Sequence, residues 1–201
     1  VSAYLAQLGH EMRSPLHSIL GFTHMLSESC AQPSQLEWLG HIRSASQHLL
    51  ELINDIIDIE MLNHHKVTIA DEMVDMFELV KRIQQGLQPQ ALIGQLQLDC
   101  HIEADCPRVW RGDKRKLRQV LINLISNAIK FTPPQGQVTV SLSQVPSGLR
   151  ISVQDTGIGI NTDALSQLFT PYYHNTSALN QQGVGIGLAI TRRLIELMQG
   201  E

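Results

Sequence analysis

Through the first third of the chain, apolar residues recur at alternating intervals of three and four with glycine sparse, a spacing that predicts two long helices. The first stripe runs Leu5, Leu8, Met12, Pro15, Ile19, Phe22 and Leu26. The second runs Trp38, Ile42, Ala45, Leu49, Leu52, Ile56 and Ile59, widened by Leu50, Ile53 and Ile57. Between them Ser29 to Ser34, containing Pro33, reads as a short connection, with Ser34 placed to cap the second helix. An antiparallel hairpin is expected. Two helices alone cannot bury faces this wide, and the three-four alternation suits near-parallel packing. The expected assembly is therefore a symmetric homodimer closing a four-helix bundle.

From about Lys66 the pattern changes, and strand-like stretches alternate with helical ones. Strands are expected near Val67 to Ile69, Leu96 to Ile102, Gln137 to Ser143 and Leu149 to Asp155, and helices near Asp75 to Gln88, Lys114 to Lys130 and Gly187 to Gln199. Turns at Thr132-Pro133-Pro134-Gln135-Gly136 and Val145-Pro146-Ser147-Gly148 bracket an antiparallel pair, which argues against a purely parallel, doubly wound sheet. The expected class is α+β in two domains, an all-α hairpin over residues 1–65 followed by an α/β sandwich over 66–201.

Composition narrows the function. With 43% hydrophobic and 17% charged residues in 201, the chain can bury a core and is not a disordered polymer. Fifteen Lys plus Arg against nineteen Asp plus Glu give a net charge of −4, without the cationic excess that binds phosphate backbones, so no nucleic-acid partner is expected. No apolar run approaches the roughly 20 residues that cross a bilayer, and Val1-Ser2-Ala3 opens no targeting peptide; no membrane contact is expected of this segment. Cys30, Cys100 and Cys106 lack metal or redox spacing, and reduced thiols in a cytosolic compartment are the simplest reading.

Candidate chemistry starts at Gly9-His10-Glu11-Met12-Arg13-Ser14-Pro15. At about 100° per residue, His10 lies about 200° from Leu8 around the helix, away from the apolar stripe. The adjacent Glu11 carboxylate can accept the proton on one ring nitrogen and raise the nucleophilicity of the other. His10, His17 and His24 recur every seven residues, but neighbours about 10 Å apart along one helix cannot share an ion, so this is read as a solvated face. On a later helix Asn123, Asn127 and Lys130 share one face. Amide oxygens can coordinate Mg²⁺ without adding charge near a triphosphate, and an ammonium can neutralise a phosphate oxygen.

Two glycine clusters follow, Asp155-Thr156-Gly157-Ile158-Gly159-Ile160 and Gly183-Val184-Gly185-Ile186-Gly187-Leu188. The first lets backbone approach a planar base while the Asp155 carboxylate accepts from an exocyclic amine. The second offers unhindered amides and a helix N-terminus to phosphates. Neither is followed by Gly-Lys-Ser/Thr, so there is no Walker loop.

Taken in order, these segments resemble the catalytic core of a two-component sensor histidine kinase: a dimerisation and phosphotransfer hairpin, then an ATP-binding domain of the GHKL (Bergerat) type. His10 to Leu16 is similar to that family's H box, Asn123 to Phe131 to the N box, Asp155 to Ile160 to the G1 box, Phe169-Thr170-Pro171-Tyr172 to the F box, and Gly183 to Leu188 to the G2 box. The resemblance implies that His10 accepts the γ-phosphoryl group of ATP with Glu11 as general base, that Asn123 binds Mg²⁺, and that Asn127 and Lys130 contact phosphates. It implies that Asp155 recognises adenine, with Gly157 and Gly159 shaping the pocket. Tyr172 to Gln182 would form an ATP lid hinged on the F box at one end and the G2 glycines at the other, with Phe169, Tyr172, Gly183, Gly185, Gly187 and Leu188 among the residues that bind the nucleotide.

The implied partner is a response-regulator receiver domain, whose aspartate takes the phosphoryl group from His10. Ser14 stands where kinases that also dephosphorylate their regulator carry Thr or Asn; Val184 replaces a frequent Thr, and the lid has no Lys or Arg. The family adds a final pair of strands beyond Gly200-Glu201, and the implied location is cytoplasmic, free or behind a membrane anchor. The alternatives are a kinase-like dimer working mainly as phosphatase or binding partner, and another GHKL ATPase.

Overall fold

The computed structural model describes residues 2–29, 32–63, 68–170 and 186–201. They fall into two compact units, the hairpin of residues 2–63 and a second unit of residues 68–170 with 187–201.

The hairpin pairs α1 (Ser2–Ser29) with α2 (Pro33–Asn63). Pro33, not Ser34, opens α2: its missing N–H falls where no partner is needed, and the Gln32 carbonyl accepts from the amides of Gln35 and Leu36, both at 3.1 Å. Ser34 therefore sits inside the first turn, a correction to its expected capping role. Pro15 lies within α1, which continues through it. Between the helices Leu16 and Ile53 are buried, with Leu50 packed on them, and Arg13 Nε donates to Asn54 Oδ1 at 2.9 Å. Much of the expected stripe stays at the surface of the single hairpin, including Phe22, Leu26, Trp38 and Ile42.

The second unit begins with β1 (Glu72–Asp75), followed by α3 (Met76–Ile93), β2 (Gln97–Ile102), β3 (Val109–Gly112), α4 (Lys114–Phe131), β4 (Gln137–Val145), β5 (Gly148–Asp155), α5 (Thr162–Leu165) and α6 (Gly187–Leu197). β2 runs parallel to β4, with α4 in the crossover, and β4 turns back through Pro146 and Ser147 into antiparallel β5. Val138, Val140 and Leu142 alternate into the core. There they meet Leu79, Val80 and Ile83 of α3 and Leu121 and Ile125 of α4, at the helical spacing that turns one face inward.

Several expectations shift. The first strand is Glu72–Asp75, not Val67 to Ile69; Thr68 and Ile69 are not strand, and Val67 lies outside the described residues. Its partner β3 was not foreseen, and the two form a separate antiparallel pair. The expected helix Asp75 to Gln88 runs on past Pro89 to Ile93, because Ala91 in its last turn is fully buried. Asp75 is its cap rather than its first residue, accepting from the Glu78 amide at 3.0 Å. α6 ends at Leu197, two residues early: Gln199 adopts a left-handed φ of 62° and the Gly200 amide returns to the Ile195 carbonyl.

Candidate functional site

Asp113 sets α4 in place. It is buried at 1% exposure, its Oδ1 accepting from the amides of Arg115 and Lys116 and its Oδ2 from that of Ala70 at 2.9 Å. Burial pushes the carboxyl's pKa up, but the hydrogen bonds from Ala70, Lys116 and Arg115 outweigh it and hold the group below its ordinary value. A strong cap at the N-terminus fixes the register of the face that carries Asn123, Asn127 and Lys130.

That face reads as expected. Asn123 and Asn127 are half-buried and Lys130 is exposed, with its ammonium 5.0 Å from the centroid of the Phe131 ring. Asn123 is held from outside its own helix: its Nδ2 donates to Thr191 Oγ1 on α6 at 2.7 Å. Gly187, at the start of α6, lies so close that a Cβ there would stand 2.3 Å from Asn123 Oδ1. Leu188 follows it on the helix, half-buried.

At the other end of α4, the Phe131 carbonyl accepts from the Ile158 amide at 3.3 Å. Gly157 donates its amide to Asp155 Oδ1 at 2.8 Å, and a Cβ on Gly157 would stand 2.5 Å from the Phe131 carbonyl oxygen. Gly159 has open space around it but a φ of 69°, so its need for glycine is conformational rather than steric. Thr156 pins the turn to β4: its hydroxyl accepts from the Gln137 amide at 2.9 Å, and its own amide returns to the Gln137 carbonyl at 3.1 Å.

Phe169 lies beyond α5, its ring facing the Arg192 guanidinium at 5.7 Å. Arg192 Nε also donates to Glu196, whose carboxyl is held below its usual range first by Arg192 and then by Arg193. His10, Glu11 and Ser14 are all on α1, His10 and Ser14 one turn apart; their side chains lie outside the description. Tyr172, Gly183 and Gly185 lie outside the described residues altogether.

The donor set suits Mg²⁺ shared with a nucleotide rather than a dedicated metal cage. Among the described residues, no three His, Cys, Asp or Glu side chains gather to hold an ion. Asn123 supplies one neutral oxygen whose amide nitrogen is already committed to Thr191. Mg²⁺ commonly takes one or two protein ligands and completes its shell with phosphates and water. Sequence reasoning missed Thr191, Asp113 and the Phe131 carbonyl; the spacing of Thr191, one turn after Gly187 on the same helix, is the signal that could have found the first.

Known proteins share both units. The model of the His Kinase A (phospho-acceptor) domain matches residues 1–65, and that of the histidine kinase-, DNA gyrase B- and HSP90-like ATPase matches residues 112–201. The chain is 39% identical over 206 residues to the sensor protein GacS of Pseudomonas syringae pv. syringae, covering 100% of this chain and 23% of that protein. The structure of full-length ShkA in complex with AMPPNP aligns over 99% of this chain and 42% of that one, with TM-score 0.80 and 30% identity. Histidine kinase ThkA in complex with the response regulator TrrA shares the fold, at TM-score 0.63 and 22% identity over 97% of this chain and 54% of that one. The chain thus spans about a quarter of the length of GacS. Among the described residues, no helix is long and apolar enough to cross a membrane.

Proposed function

This chain belongs to the sensor histidine kinases of two-component signalling, and from that premise we propose that residues 66–201 bind ATP and present its γ-phosphoryl group to His10 on residues 1–65. The observation that carries the reading is the use of α4 as a common wall. Gly187 closes on Asn123 and Gly157 closes on the carbonyl of Phe131, so one glycine from each of two separate clusters meets the same helix, at points roughly 12 Å apart along its axis.

In this reading the base lies at the Asp155-Gly157 end. Asp155 Oδ1 is occupied by the Gly157 amide, which leaves Oδ2 to accept from the exocyclic amine, and the backbone at Gly157 has no side chain to hold the ring away. The phosphates run from there toward Asn123, their oxygens bound by the Lys130 ammonium and the Asn127 amide along the same face of α4. When bound there, Mg²⁺ would offset phosphate charge, with Asn123 Oδ1 as its protein ligand. A ring nitrogen of His10 forms a bond to the γ-phosphorus as the bond to the β-phosphate oxygen breaks, releasing ADP. Glu11 takes the proton from the other nitrogen. Charge moves little through the protein, so catalysis is mostly positioning.

The phosphoryl group then passes to an aspartate of a receiver domain, as the regulator-bound ThkA suggests by its fold. Ser14, one turn from His10, is read as the residue that orients water for the reverse reaction. The exposed apolar stripe of the hairpin, with Phe22 62% and Trp38 64% exposed, is read as the contact with a second copy. A cytoplasmic setting suits this chemistry, which draws on ATP. Another ATPase of the same fold would leave the phospho-acceptor match over residues 1–65 without a role.

Nucleotide titration tests the binding half of this proposal. Asp155→Ala should lower ATP affinity with or without Mg²⁺, and Asn123→Ala only when Mg²⁺ is present. Unchanged affinity in both variants would contradict the site.

A further inference from the structure

We infer that Thr191 is a positioning residue that holds the Asn123 amide in place, with its oxygen free for the nucleotide's Mg²⁺. The inference rests on the proposed role of Asn123 as a Mg²⁺ ligand and names the group that makes that role possible.

An asparagine side chain ends in two groups of similar size and opposite use, one oxygen that can ligate a cation and one NH₂ that cannot. Half-buried on α4, the amide of Asn123 could present either. Thr191 anchors the nitrogen end. It lies on α6, only 6% exposed, and its Oγ1 accepts from Asn123 Nδ2 at 2.7 Å across 68 residues of sequence. With the nitrogen bonded there, the oxygen points away from Thr191, where among the described residues no donor bonds to it.

The same helix provides for that side too. Gly187 lies four residues before Thr191, one turn away on the same face, and any side chain there would collide with Oδ1, a Cβ standing 2.3 Å away. One turn of α6 therefore meets both ends of the amide, with a hydroxyl on the nitrogen and a bare Cα beside the oxygen. Outer partners of this kind commonly change metal affinity or activity by 10- to 100-fold when removed.

The experiment is a titration of the 201-residue chain with AMPPNP, in Mg²⁺ and in EDTA, for Thr191→Val, Thr191→Ala, Thr191→Ser and Asn123→Ala. Val keeps the shape and removes the acceptor, Ala removes both, and Ser keeps the hydroxyl. Val and Ala should each lose about tenfold of the affinity gained from Mg²⁺, while binding in EDTA stays within about twofold and Ser keeps the gain. If Val and Ala keep the gain while Asn123→Ala loses it, the inference is wrong and the site reading stands. If Asn123→Ala keeps the gain as well, the site reading fails first and takes the inference with it. A Ser variant as impaired as Val, or equal losses in Mg²⁺ and EDTA, would also overturn it, since packing rather than the hydroxyl would then be the cause.

Discussion

Gly187 and Asn123 are in contact through a space that admits no side chain: a Cβ on Gly187 would lie 2.3 Å from Oδ1 and 3.0 Å from Nδ2 of Asn123. The atoms in the way belong to a movable side chain, so Gly187→Ala should be tolerated by the fold at the cost of the Asn123 to Thr191 hydrogen bond, about 1 kcal/mol. Nucleotide binding in Mg²⁺ should suffer far more, by tenfold or greater. Thermal denaturation alongside ATP titration checks the split, and a variant that melts normally and binds normally would contradict it.

Gly157 and Gly159 are both glycine for different reasons, and alanine should separate them. At Gly159 the surroundings are open but φ is 69°, so alanine should cost about 1–2 kcal/mol through backbone conformation alone. At Gly157 a Cβ meets the Phe131 carbonyl oxygen at 2.5 Å, and that oxygen belongs to backbone at the end of α4. Gly157→Ala should therefore displace the turn, destabilise by more than Gly159→Ala, and abolish ATP binding. Urea unfolding of the two variants ranks them.

Asp113 predicts an acid dependence of stability. Its carboxyl is held below the ordinary value in the folded protein, the hydrogen bonds from Ala70, Lys116 and Arg115 outweighing burial. A depressed folded-state pKa contributes stability that is complete above the unfolded value near pH 4 and is lost as pH falls through the folded value. Asp113→Ala should lower stability at neutral pH by about 2 kcal/mol, the worth of a strong cap. Its deficit relative to the parent should shrink below about pH 4; a deficit constant with pH would show that the charge is not involved.

Much of this was legible in the sequence because the informative residues stand at fixed spacings. Asn123, Asn127 and Lys130 lie on one helical face as their numbering requires, and Pro146-Ser147 makes the hairpin that it signals. What was hidden depends on distant partners. Thr191 lies between Ile190 and Leu194 on a buried face, where a hydroxyl gives no sign that its bond is to residue 123. β3 is four residues with none fully buried, too short and too exposed for alternation to show. Pro89 marks a helix end in sequence, yet burial of Ala91 two residues later outweighs the lost hydrogen bond.

The hairpin's exposed stripe predicts self-association. Phe22 and Trp38 are 62% and 64% exposed in one copy, and burying such surface contributes roughly 25 cal/mol per Å². Phe22→Glu places a charge in the expected bundle interior and should shift the protein from dimer to monomer in analytical ultracentrifugation, with ATP binding by residues 66–201 retained. A parent that is monomeric at all concentrations would contradict the bundle.

The central claim is that the chain moves a phosphoryl group from ATP to His10. Incubation with Mg²⁺ and γ-labelled ATP, followed by acid and alkali treatment, tests it most directly, beside His10→Ala and Asp155→Ala. Label that survives alkali, is lost in acid and is absent from both variants is the predicted result. Label that persists in His10→Ala, or a parent that binds ATP as a dimer and never becomes labelled, would contradict the account.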